Sequence, residues 1–159
     1  MFPARLNYTP DMYPFVLGLH NVLRWLILLS AVYTLVLLIP GLGGGRVWGR
    51  RERVAASSFT GLMYLQLLVG LALYIGVSPY MRGILDNFGA ALKNAETRFF
   101  AVEHVTGMVL AVLLAHLGNV LYGRRSSDQD KFRTATFFFT LSLLCVLALI
   151  PWWRPLLRF

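Results

Sequence analysis

Residues 14 to 40 read PFVLGLHNVLRWLILLSAVYTLVLLIP, an apolar run that carries a histidine at His20 and an arginine at Arg24. As a helix at 1.5 Å per residue it is about 40 Å long, more than a ~30 Å hydrocarbon layer requires. Three further apolar blocks follow, Ser57 to Val77, Phe99 to Tyr122 and Thr134 to Trp153. Each is close to the ~20 residues that cross a bilayer. The 159 residues are 57% hydrophobic with mean hydropathy +0.63, a membrane composition. The expectation is an all-α integral membrane protein. Residues 1–159 form one domain, an up-and-down bundle of four transmembrane helices over 14–40, 57–77, 99–122 and 134–153.

Little chain is left over. The longest polar connection, Ser78 to Thr97, is too short to bury a core of its own, so any chemistry belongs inside the bundle or at its rims. Within it Tyr80, Ile84, Leu85, Phe88 and Leu92 recur at helical spacing, with Arg82 and Asp86 between them. That pattern predicts a short amphipathic helix on the membrane surface between helices two and three. The first block is too long for a signal-peptide core and has no basic segment before it, so it is expected to stay as a helix. Pro3, Pro10 and Asp11 mark a short external lead-in. Ser57 or Ser58 is expected to cap helix two, and Asn94 or Thr97 helix three. Cys145 is the only cysteine and makes no intramolecular disulfide.

The net charge of +8 does not point to nucleic acid. Arg46, Arg50, Arg51 and Arg53 follow block one, while Arg124, Arg125, Lys131 and Arg133 follow block three. Basic residues on alternate loops orient a chain by the positive-inside rule and meet anionic lipid headgroups. The expected setting is a bacterial inner membrane with both termini outside. Trp48 is expected at the inner interface, and Trp152, Trp153, Arg154 and Arg158 as an anchor at the outer one.

In this topology helices one and three run parallel and face each other across the bundle. His20 and His104 each lie about six residues, or roughly 9 Å, inside their helices. A b-type haem takes one imidazole on each axial face, and two bundle helices can supply both, so His20 and His104 are the expected iron ligands. Arg24 lies one turn inward of His20 on the same face. An arginine there costs about 2.5 to 3.5 kcal/mol on insertion scales and calls for a partner. Two partners are open, Glu103 by an ion pair or a haem propionate by a fork of hydrogen bonds.

Gly107, Ala111, Ala115 and Gly118 form a stripe of small residues inward of His104. With Gly70 on helix two, they either leave room for a flat macrocycle or let helices approach closely in lipid. His116 lies about 18 Å beyond His104 and cannot share its iron. Its level matches Met63 and Tyr64, which raises a second haem with histidine and methionine ligands, a site that interfacial water or a carbonyl would equally satisfy. Only one haem is expected. Tyr64 and Gln66 are candidates for a quinone pocket, or for simple interhelical contacts. Without a CxxCH, covalent haem attachment is excluded.

The runs His20-Asn21-Val22-Leu23-Arg24-Trp25, Gln66-Leu67-Leu68-Val69-Gly70-Leu71-Ala72-Leu73-Tyr74 and Ala101-Val102-Glu103-His104 resemble small four-helix bacterial membrane proteins labelled as b-type cytochromes. The resemblance covers helices one to three and is weaker in helix four. It implies haem and electron transfer. It also implies a histidine on helix two near the position held here by Tyr64, a departure that speaks against a second haem.

The expected function is therefore a haem b subunit for electron transfer in a respiratory or photosynthetic complex, with other membrane subunits, lipid and quinone as partners and no nucleic acid. Its rivals are a structural accessory subunit without cofactor and a subunit that ligates a chlorophyll-type pigment through one histidine. An independent enzyme is not expected, because the chain has no nucleophile constellation, hydrolase motif or nucleotide loop. No inverted repeat or broken helix pair suggests a transporter.

Overall fold

A computed structural model describes residues 12–154, which are helical and contain no strand. The external lead-in through Asp11 and the anchor residue Arg158 lie outside the described residues. Four helical stretches are long and apolar enough to cross a membrane, Met12–Gly41, Arg50–Val77, Ala95–Gly123 and Asp128–Leu149, as befits a multi-pass membrane protein. Large apolar side chains such as Phe15, Leu29, Val36, Leu68, Ile75 and Phe137 point outward, an arrangement stable in lipid and not in water.

The elements are α1 (Met12–Leu38), α2 (Arg50–Ala72), α3 (Pro79–Asp86), α4 (Phe88–Ala91), α5 (Ala95–Arg98), α6 (His104–Gly123) and α7 (Asp128–Leu149). A 3₁₀ turn, Ile39–Gly41, ends α1, and π-helical turns occupy Leu73–Val77 after α2 and Phe99–Glu103 before α6. The long helices form a closed ring in which α1 packs on α2 and α7, and α6 packs on α2 and α7. Thus α1 and α6 stand on a diagonal.

Several boundaries differ from the expected ones for local reasons. The second long helix begins at Arg50, not near Ser57, because the Glu52 carboxylate accepts the Gly49 amide at 2.9 Å and satisfies a free donor at its start. Ser57 and Ser58 lie exposed within that helix and cap nothing. Asn94, rather than Thr97, caps α5 by accepting the amides of Glu96 and Thr97. Ser127 caps α7 at Asp128, six residues before the expected start, by accepting the Asp130 amide at 3.1 Å. The expected single helix between Pro79 and Leu92 is two pieces, broken at Asn87, whose φ of −132° and ψ of 57° are not helical.

Trp48 lies in the connection between α1 and α2. It is buried, with its ring 4.6 Å from Tyr122 and 5.0 Å from Phe132, and so closes the core beneath the loop between α1 and α2. Above it the core runs through Phe59 and Phe139, whose rings meet edge to face at 5.4 Å. Two buried hydroxyls in this core are tied to backbone. Ser142 donates to the Ala111 carbonyl at 2.8 Å, and Thr34 to the Ser30 carbonyl at 2.7 Å.

Candidate functional site

The end of the ring where α1 begins and α7 finishes brings the two diagonal histidines together. His20 and His104 each lie about two turns inside their helical stretches, and their ring centroids are 6.5 Å apart with planes at 61°. The Nδ1 of His104 is 2.8 Å from the Leu149 carbonyl at the end of α7. A carbonyl only accepts, so Nδ1 carries the proton, and in the neutral ring Nε2 keeps the lone pair. The buried Nδ1 of His20 has no hydrogen-bond partner.

The surroundings hold both rings in place. Gly70 lies against His20, and a methyl group at position 70 would stand 3.3 Å from His20 Cε1. Gln66 donates its amide to the His20 carbonyl at 3.0 Å. Phe99 and Phe100 flank His104, with centroids 5.7 and 6.1 Å from its ring. The Tyr74 hydroxyl donates to the Ala101 carbonyl at 2.7 Å, which ties one π turn to the other. Such turns insert an extra residue into a helix and recur at functional sites. Neither was foreseen, and no residue pattern in 73–77 or 99–103 announces one.

A cavity of about 200 Å³ opens beside the histidines. Arg24, Gln66, Gly70, Met63 and Val112 line it with them, and Tyr80 and Arg154 line its mouth near the start of α3 and the end of α7. Arg24 is only 9% exposed, with its guanidinium carbon 5.9 Å from the Trp25 ring. Arg154 pairs with Glu96 at 2.7 Å and lies 4.2 Å over the Phe100 ring. Among the described residues, no three His, Cys, Asp or Glu side chains gather around one point.

Several expected site residues are placed elsewhere. Glu103 is exposed and bound to Arg98 at 2.8 Å, away from the cavity, which removes it as the partner of Arg24. The turn at Phe99–Glu103 carries Glu103 outward while His104 turns in. Gly107 does not line the cavity either, because the Leu149 side chain occupies the place of its missing Cβ and Cys145 donates to its carbonyl at 3.2 Å. Gly118 is filled in the same way by Phe138 and Phe139. The small-residue stripe is thus a packing seam between α6 and α7.

Deeper in the membrane, Met63 faces the core, and His116 is exposed with its Nδ1 2.5 Å from the Tyr64 hydroxyl. Met63 and His116 therefore do not face a common metal. Tyr64 and Gln66 also point in different directions, Gln66 into the cavity and Tyr64 outward, so they line no shared pocket. No family model, curated protein or solved structure matches this chain, and the functional assignment rests on the geometry of the bundle itself.

Proposed function

We propose that the chain is a membrane subunit that binds one haem b between His20 and His104 and passes electrons within a larger respiratory or photosynthetic complex. The observation that carries this is the spacing of the two rings. For one nitrogen of each ring to hold a single metal ion at about 2.0 to 2.1 Å, the centroids would have to lie about 6 to 7 Å apart. The observed separation is 6.5 Å.

The donor set fits as well. A metal-ligating histidine ordinarily gives its other ring N–H to a carbonyl or carboxylate, as His104 does to Leu149. Bound there, haem supplies reversible one-electron chemistry at iron. The residues around it bind and orient: Gly70 leaves the His20 ring room, and the phenyl rings of Phe99 and Phe100 exclude water from the His104 side. Arg24 provides buried positive charge at the cavity, and Arg154, paired with Glu96, provides it at the mouth.

In the proposed topology the four helices run up and down across a bacterial inner membrane with both termini outside, and α3 and α4 lie along the outer surface. The arginines of the first and third loops support this orientation.

Absorption spectroscopy of the purified protein is the test. A reduced-minus-oxidised spectrum with a sharp α band is expected, lost in both His20→Ala and His104→Ala. Protein that folds and carries no haem overturns the assignment. Loss in only one variant replaces it with a pigment held by a single axial histidine.

A further inference from the structure

The two imidazoles of the proposed haem site are held in different ways. On the His104 side the anchor is built into the chain. Pro151 has no N–H and forces the residue before it away from the helical region, and Ile150 is extended at φ −69° and ψ 129°. α7 therefore stops, and its last carbonyls turn to side chains. Leu147 accepts the Trp152 indole at 2.8 Å, and Leu149 accepts His104 Nδ1 at 2.8 Å. The Trp153 ring lies 4.8 Å from Phe99 and backs it against His104. A hydrogen bond and two aromatic rings fix this imidazole.

His20 is placed by packing alone. The Nδ1 and Cε1 edge of its ring lies against Gly70, which has no side chain to accept a proton, and the Gly70 carbonyl already takes the Leu73 amide. His20 Nδ1 is buried without a hydrogen-bond partner. One turn from Gly70 on the same face of α2, Gln66 Oε1 is a second buried atom in that state, an acceptor on an amide 3.0 Å from the His20 carbonyl. With its proton on Nδ1, the ring leaves a buried donor unsatisfied where it stands, and it gains an acceptor by turning toward Gln66.

We infer that His104 is the fixed axial ligand and His20 the exchangeable one, so that the site admits a small neutral diatomic molecule of the carbon monoxide type at the position His20 gives up. This rests on the haem assignment of the same site. The exchange replaces one electron-pair donor by another: the bond between the metal and the His20 ring breaks, the bond to the incoming molecule forms, and no electron or proton leaves the site. Leu17, Leu67 and Leu71 also line the cavity, an apolar wall that a neutral diatomic meets without giving up hydrogen bonds to water.

The test is a carbon monoxide titration of the reduced protein, loaded with excess haem and followed at the Soret band. The parent protein should bind CO weakly, because only the fraction with His20 released is competent. With that fraction at about 0.1 to 10%, His20→Ala should bind CO about ten- to a thousandfold more tightly. Gly70→Ser should bind it less tightly than the parent. A Cβ at position 70 stands 3.7 Å from His20 Nδ1, so a hydroxyl there can accept the proton and hold the ring. His104→Ala should gain no affinity. A second reading needs no haem: the chain has three histidines, and ¹⁵N spectra of their rings in the haem-free protein should show His104 fixed as the Nδ1–H tautomer and His20 as a mixture of both. Three results overturn the inference and leave the haem assignment standing: haem with a sharp α band that binds no CO, equal CO affinity in the parent and His20→Ala, or a gain in His104→Ala instead. One fixed tautomer at both histidines also overturns it. Protein that folds and takes up no haem removes both.

Discussion

The ring of His104 and the carbonyl of Leu149 are joined by a 2.8 Å hydrogen bond that leaves the second nitrogen of the neutral ring as a lone-pair donor. The bond exists because α7 ends at Leu149, where the carbonyls of a last helical turn have no partner within the helix. A helix terminus thereby sets the tautomer of a candidate ligand.

Gly70 sets the position of the other ring. Gly70→Ala puts a methyl group 3.3 Å from His20 Cε1, which a small ring shift can absorb, whereas Gly70→Leu cannot be accommodated without displacing the imidazole. Haem content per protein, measured by alkaline pyridine extraction, should fall modestly in the first and more than tenfold in the second, the scale of losses seen when support of a metal ligand is removed. Full haem content in Gly70→Leu would show that His20 is not held as described.

Gly107 tests the packing seam. A Gly107→Val side chain collides with Leu149, and overpacking of this kind costs about 1 to 3 kcal/mol. Denaturation in mixed micelles should show that loss, and adding Leu149→Ala should recover a substantial part of it. Independent, additive effects of the two substitutions would mean that the side chains do not meet.

Arg24 places positive charge beside the cavity. Reduction adds an electron, and a nearby cation favours the reduced form, so Arg24→Gln should lower the midpoint potential of the bound haem. The expected shift is on the order of 50 mV at the effective dielectric of such sites. Redox titration followed at the α band measures it, and a shift upward contradicts the role. Arg24→Lys should keep the potential closer to the parent value, because the charge remains although the fork of donors does not.

Orientation is open to direct measurement. With Cys145→Ser as background, a cysteine at Ser126 should react with a membrane-impermeant maleimide only after cells are opened, and one at Asn87 should react in intact spheroplasts. Reversed labelling would place both termini on the inner side.

Sequence alone determined the class of structure, because burial of backbone in lipid leaves helices as the economical solution and four apolar runs of spanning length are plain to read. It also singled out His20, His104 and Arg24, since ionisable groups are rare in such runs and their depth follows from a constant rise per residue. Helix starts were less legible. Glu52 and Ser127 satisfy free amides several residues before hydropathy rises, and composition does not report that. Tertiary structure alone decided where side chains point. The turn at Phe99–Glu103 breaks the regular phase of the third long helix just before His104, so counting at 100° per residue cannot place Glu103 and His104 on their faces. Packing likewise decided that Gly70 serves a histidine while Gly107 serves a leucine, because a glycine has no side chain to declare its neighbour and only the helix across from it does.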